Sequence, residues 1–272
     1  LSGLVGSEMC IRDRLTAPQL TQNRWDQDLA KPATIAVGSN PQGVASDGTN
    51  IWVTNVGSNN VTRINAATGA VVGSAITVGA NPEGVAFDGT NMWVTNTGSN
   101  NVTRINAATG TVVGSPIAVG SSPAGIAFDG TNMWVTNINS NNVTRIDAAT
   151  GTVVGSPITV GTSPVGIAFD GANMWVANAG SNTVTRINAA TGTVIGSPIT
   201  VGTNPQGIAF DGTNMWVTNN NSSNVTRINA ATGTCLLYTS PSPRDQLGIA
   251  FDGTNMWVAN VNSNNVTKLR AT

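Results

Sequence analysis

A block of 41 residues occurs six times in this chain, and that period constrains the fold more than any other feature. Its anchor reads G-[IV]-A-x-D-G-x-N-x-W-V-x-N and begins at Gly43, Gly84, Gly125, Gly166, Gly207 and Gly248. A fixed period of about 40 to 45 residues, with a Trp and several short β-type runs in each, marks a propeller array. One such unit cannot bury both of its faces. Neighbouring units must cover it, so the repeats stack around an axis.

The third copy shows how one repeat becomes one blade. Gly125 to Phe128 is a short apolar run, and Asp129 to Asn132 is a turn in which Gly130 accepts positive φ and Asp129 caps backbone donors. Met133 to Asn137 and Asn142 to Ile146 read as the second and third strands, rich in residues that pack on a pleated surface. Asp147 to Gly151 turns again, and Thr152 to Val160 is predicted as the fourth strand. Pro157 removes a backbone donor there, which suits an outer edge. The fold class expected is all-β, a propeller of six four-stranded blades spanning 34–272 after a lead-in at 15–33. Thr34 to Gly38 matches a fourth strand but precedes the first blade, while the chain ends on a third strand, Val266 to Leu269. The N-terminal strand is therefore expected to complete the last blade, removing a free sheet edge. The alternative is a fragment of a seven-bladed ring.

Two segments do not fit the repeat. Where the other copies continue V-V-G-S-P-I-T-V-G, the fifth reads C-L-L-Y-T-S-P-S-P-R-D, Cys235 to Asp245. Those residues can be encoded by a DNA stretch whose reverse complement, in a shifted frame, encodes L-V-G-S-E-M-C-I-R-D, the chain's own Leu4 to Asp13. That DNA resembles the transposase adapter used in preparing sequencing libraries. Residues 1–14 and 235–245 are therefore read as adapter-derived and set aside from functional reasoning. Both cysteines (Cys10, Cys235), Tyr238 and Glu8 go with them, so cysteine usage says nothing about redox compartment. Since Gly248 keeps the 41-residue register, the foreign stretch replaces an outer strand without changing length. Leu236 to Thr239 are expected to imitate an edge strand, and Pro241 to Pro243 to break it.

What remains contains no His and a single Glu, Glu83. Net charge is −1 with no basic stripe, so nucleic acid is not an expected partner. No apolar run reaches the roughly 18 residues needed to span a bilayer, and no membrane insertion is expected. The polar composition, rich in Asn, Thr, Gly and Ser, points to an extracellular, cell-surface or periplasmic protein. A monomer is expected.

Each recurrent side chain has a bland and a sharp reading. The six Trp residues from Trp52 to Trp257 fill the space between blades more readily than they form a ligand platform. The turn Asp residues cap hairpins rather than converge on a metal. The series Arg63, Arg104, Arg145, Arg186, Arg227 and Lys268 reads as solvated or paired with Asp. The N-V-T triplets at Asn60, Asn101, Asn142, Asn224 and Asn265 match a glycosylation acceptor, but turn chemistry explains their regular place.

Variation between the copies concentrates at two positions. One is the residue between Pro and Gly before the first strand: Gln42, Glu83, Ala124, Val165 and Gln206. The other follows the second strand: Val56, Thr97, Ile138, Ala179, Asn220 and Val261. In a four-stranded meander both positions emerge at the same end of the blade, around the channel mouth. Binding residues concentrate on loops held by a rigid scaffold, so this face is the expected ligand or partner surface. Neutral drift after duplication is the competing account.

The strings P-x-G-[IV]-A-F-D-G, M-W-V-T-N, S-N-N-V-T-R-I-N and A-T-G-T-V-V-G resemble the YVTN family of propeller repeats, with Trp in place of the leading Tyr. That resemblance implies a surface or periplasmic repeat protein. The P-x-G-I-A…D-G…W pattern also looks like the streptogramin lyase group, which the resemblance would endow with a catalytic His and metal-binding Glu residues. This chain has no His to carry that role. No catalytic residue, metal ligand or cofactor is therefore assigned, and the expected function is a noncatalytic binding or structural module facing a protein or glycan. A lyase or hydrolase, and a surface-layer spacer, are the alternatives.

Overall fold

The structure is a computed structural model and describes residues 34–238, 246–260 and 265–271. It separates at Ala36, and the unit from Val37 to Thr272 is an all-β, six-bladed propeller. A 3-10 turn at Val56–Ser58 is the one helical element among the described residues. The blades are arranged in a ring, and within each the strands lie in chain order, neighbours antiparallel. The first blade comprises Pro41–Ser46, Asn50–Asn55, Asn60–Asn65 and Ile76–Thr77. Its successors repeat this plan at the 41-residue period.

Local chemistry explains the first hairpin. Asp129 Oδ1 accepts the N–H groups of Thr131 (2.7 Å) and Asn132 (2.6 Å), while Gly130 takes φ +97°. Positive φ at Gly costs no Cβ clash, so the turn closes without strain. The same carboxylate reaches further than its turn. Its Oδ2 accepts the indole N–H of Trp134 at 2.7 Å, satisfying the polar end of a ring that is otherwise wholly buried. Every blade repeats this Asp-to-Trp bond, at 2.6 to 2.8 Å. It was not foreseen, because capping and packing had been assigned to separate residues.

The fourth strand is shorter than expected. The ladder holds only Ile158–Thr159, with an isolated bridge from Val153 to Ile146, and not all of Thr152 to Val160. Gly155 at φ +69° and Pro157, which offers no N–H, divide the run. The segment that departs from the repeat behaves differently. Cys235–Tyr238 forms a continuous four-residue edge strand, pairing from Cys235 with Ile228 to Tyr238 with Val225. The expectation of an edge strand holds there, one residue earlier than proposed, while Pro241 to Pro243 lie outside the described residues.

The sixth blade has three described strands, Gln246–Phe251, Asn255–Asn260 and Asn265–Arg270. Thr34 to Val37 carry no strand assignment, so the closing strand expected from them is not among the described ladders. A fourth strand in the first four blades contributes just two paired residues plus one bridge. That is a small return for ordering a separate segment against its backbone entropy.

Five apolar clusters hold successive blades together. In each, the Trp of one blade packs on the Met and Val of the next blade's second strand and on its third-strand Ile or Leu. Trp134, for example, meets Met174, Val176 and Ile187. Burial of such rings contributes several kcal/mol each on the scale of about 25 cal/mol per Å² of apolar surface.

Candidate functional site

The two varied positions are brought to one end of the blades by a bulge. Pro41 pairs with Asn55 and Val44 with Val53, so Gln42 and Gly43 face the single residue Thr54. The same two-against-one irregularity recurs in the other five blades. A bulge of this kind bends the strand and re-aims a side chain. Thr54 fills it. Its Oγ1 accepts from the N–H of Gly43 at 2.8 Å and donates to the carbonyl of Glu83, in the next blade, at 2.8 Å. Thr95 and Thr136 donate in the same way to the carbonyls of Ala124 (2.7 Å) and Val165 (2.8 Å). The varied residue therefore serves the ring through its main chain.

The second varied position joins the first through backbone bonds. The N–H groups of Val56, Thr97, Ile138, Ala179 and Asn220 donate to the carbonyls of Asn40, Asn81, Ser122, Ser163 and Asn204. One cross-contact unites the two sets directly. Thr97 Oγ1 lies 2.9 Å from Glu83 Oε2 and 2.6 Å from the Pro123 carbonyl. Burial pushes the Glu83 carboxyl above its ordinary value, and the Thr97 bond opposes that shift. Once protonated, the acid can donate to Thr97 while Thr97 donates to Pro123.

The remaining varied residues differ in reach. Gln42 is exposed, Gln206 is half-buried with its amide on Asn204 Oδ1 at 2.8 Å, and Val165, Val56, Ile138, Ala179 and Asn220 are half-buried. Ala124 is buried, so it can shape the wall but hardly touch a partner. Val261 lies outside the described residues.

Three recurrent groups are structural. Arg63 is neither solvated nor paired with Asp: it stacks over Trp52 at 5.6 Å and donates to the carbonyls of Ala107 (3.0 Å) and Ala108 (3.2 Å) in the next blade. Arg104 repeats this on Ala148 and Ala149. In the N-V-T triplets, Asn60 Oδ1 and Thr62 Oγ1 both accept from Asn55 Nδ2, turning the acceptor pair inward. The turn carboxylates are each spent on their own hairpin and Trp. Among the described residues, no group of three or more His, Cys, Asp and Glu side chains converges.

No family model and no curated protein matches the sequence. Solved structures do. The chain is similar to a hydrazine synthase of Kuenenia stuttgartiensis (TM-score 0.74, 23% identity, 89% of this chain and 79% of that one). It is also similar to a catalytically inactive virginiamycin B lyase from Staphylococcus aureus, solved with quinupristin (TM-score 0.70, 20% identity, covering 85% and 84%). A streptogramin B lyase gives the same TM-score, with 86% and 84% covered. Identities this low establish the shared propeller fold alone.

Proposed function

We propose that the chain is a noncatalytic β-propeller module of YVTN-repeat type, presenting its channel-mouth face to a protein or glycan outside the cytoplasm. One observation carries this reading. Glu83, Ala124 and Val165 stand at bulges whose main chain is held by Thr hydroxyls of the preceding blade, so the side chain can change there without disturbing the ring. Glu83, Thr97 and Gln206 supply the polar contacts, and Val165 and Ile138 the apolar ones. Residues 1–14 and 235–245 are proposed as adapter-derived and take no part.

Acid–base catalysis most often employs His, and the sequence contains none. The lyases that share the fold motivate the direct check. Purified protein incubated with a streptogramin B and divalent metal is expected to leave the macrocycle intact. Ring opening that disappears in Glu83→Gln would replace the binding reading with an enzymatic one. For binding itself, glycan arrays and immobilised surface-protein panels provide the ligands. The double variant Glu83→Ala/Gln206→Ala is expected to lose at least tenfold in affinity (about 1.4 kcal/mol), and Thr150→Ala on the opposite face to lose none. Loss in Thr150→Ala alone would move the site to the turn face.

A further inference from the structure

The junction between the sixth and first blades is unlike the other five. At a packed junction the bulge Gly lies hard against the next blade: a Cβ on Gly43, Gly84, Gly125 or Gly166 would run into the carbonyl oxygen of Glu83, Ala124, Val165 or Gln206. At Gly248 the nearest atom among the described residues is Ala259 Cβ of its own blade, at 3.9 Å. The tryptophans agree. Those of the first five blades are 0% exposed, whereas Trp257 is 38% exposed. Val266 is 60% exposed where Val61, Val102, Val143 and Val184 are fully buried. Across the gap, Val44 of the first blade is 64% exposed, against 8% for Ile208 at the matching place in the fifth.

We infer that this seam is a docking groove for one further blade of the same 41-residue type. The sixth blade retains the donor half of the interface used at every packed junction. Trp257 is held by Asp252 at 2.6 Å, and Lys268 lies over its ring at 5.4 Å, as Arg145 does over Trp134 at 5.5 Å. The unit that fits must offer what each following blade offers: an apolar Met, Val and Ile face for Trp257, a carbonyl beside Gly248, and the paired Ala carbonyls that the Arg series grips. The first blade is a poorer match. Ser46 stands where the later copies have Phe87, Phe128, Phe169, Phe210 and Phe251, and each of those five phenylalanines packs against a buried interblade cluster whose Trp belongs to the preceding blade. Ser46 Oγ instead accepts the Gly48 N–H at 3.0 Å. A separate blade with Phe at that place therefore closes over Trp257 better than the first blade does. This inference does not depend on the mouth-face reading.

The repeat register says how to supply the unit. Thr272 matches Ala149, so a copy of residues 150–190 fused after Thr272 provides an outer strand for the sixth blade and three strands of a seventh unit. Hydrogen exchange of the amides in Asn255–Asn260 is the readout. In the fused protein they are expected to exchange at least about tenfold more slowly than in the original chain. A control fusion, with Ser replacing the copied Met and Val that would meet Trp257, should show no slowing. Equal slowing in both fusions, or none in either, overturns the proposal. Two outcomes on the unfused chain also overturn it. Protection already matching Asn132–Asn137 in a monomer would mean that the first blade closes the ring, and protection with a dimer by light scattering would mean that a second copy fills the seam.

Discussion

The third and sixth blades share nearly the same sequence, yet their tryptophans meet opposite fates. Trp134 donates its indole N–H to Asp129 at 2.7 Å, lies under Arg145 and is 0% exposed. Trp257 donates to Asp252 at 2.6 Å, lies under Lys268 and is 38% exposed. Everything local to the blade is preserved, and everything owed to the neighbour is lost. In a repeat array, burial belongs to the junction and not to the unit. The junction between the fifth and sixth blades is an intermediate case. Ile199 and Val201 of the fourth blade's outer run pack on the cluster around Trp175. At the matching places of the fifth blade the sequence has Ser240 and Ser242, which offer no aliphatic side chain and lie outside the described residues.

The largest expected effect separates the two tryptophans. Trp134→Ala empties a filled interblade space and is expected to cost about 3–5 kcal/mol. Trp257→Ala should cost less than half of that. Chemical denaturation with a common slope measures both, and equal losses would mean that the sixth junction is packed in solution.

Next comes the bulge glycine. Gly125→Val drives a side chain into the Val165 carbonyl, which is backbone and cannot rotate aside. The expected cost is roughly 1–3 kcal/mol or more. Gly248→Val meets open space and should change stability by less than about 1 kcal/mol, or raise it slightly through the unfolded state. A comparable loss at both sites would remove the distinction between the junctions.

Restoring V-V-G-S-P-I-T-V-G-T-S at 235–245 tests the intermediate junction. It returns an Ile and a Val to the places that Ile199 and Val201 hold one blade earlier. Partial burial of two aliphatic side chains is worth about 1–3 kcal/mol, or several degrees in Tm for a domain of this size. A restored protein that melts no higher would show that the outer run adds nothing to the junction.

The sequence was most informative where a residue's role is local. Period, strand succession, the Asp-Gly hairpin and the inward use of Trp all follow from side chains acting within about ten residues. The edge strand at Cys235–Tyr238 was legible too, since an edge strand has one neighbour and tolerates a departure from the repeat as a plain ladder. What escaped depends on groups brought together by the ring. Arg63 grips carbonyls 44 and 45 residues ahead, which no spacing rule announces. The Thr hydroxyl that fixes the varied residue works across 29 residues. The varied positions were picked out from differences between copies, yet the pairing of Glu83 with Thr97 could not be, because neither position's variation reports on the other. The seam was hidden for the same reason: the sixth repeat carries the full interblade chemistry whether or not anything meets it.

The smallest expected effect concerns protons, and it reads the seam from within a single carboxyl group. In Asp170, burial works to raise the carboxyl, but the Trp175 indole and the Asn173 and Ala172 N–H groups outweigh it and hold the acid below its ordinary value. In Asp252 the Trp257 indole comes first, the Asn255 and Thr254 N–H groups follow, and burial opposes them only weakly. Both shifts are downward, so each carboxylate stabilises the fold fully above the unfolded value of 3.8 and loses that contribution as pH falls below it. Glu83 has the opposite sign: raised by burial, it favours the fold below its unfolded value of 4.5, and that contribution is lost as pH climbs through the folded one. Carboxyl NMR titration should therefore place Asp252 below Asp170 in the original chain. Fusing residues 150–190 after Thr272 buries Asp252 as Asp170 is buried, so its titration should move up toward that of Asp170 while Glu83 stays where it was. If Asp252 titrates with Asp170 before any blade is added, the two junctions already share one environment.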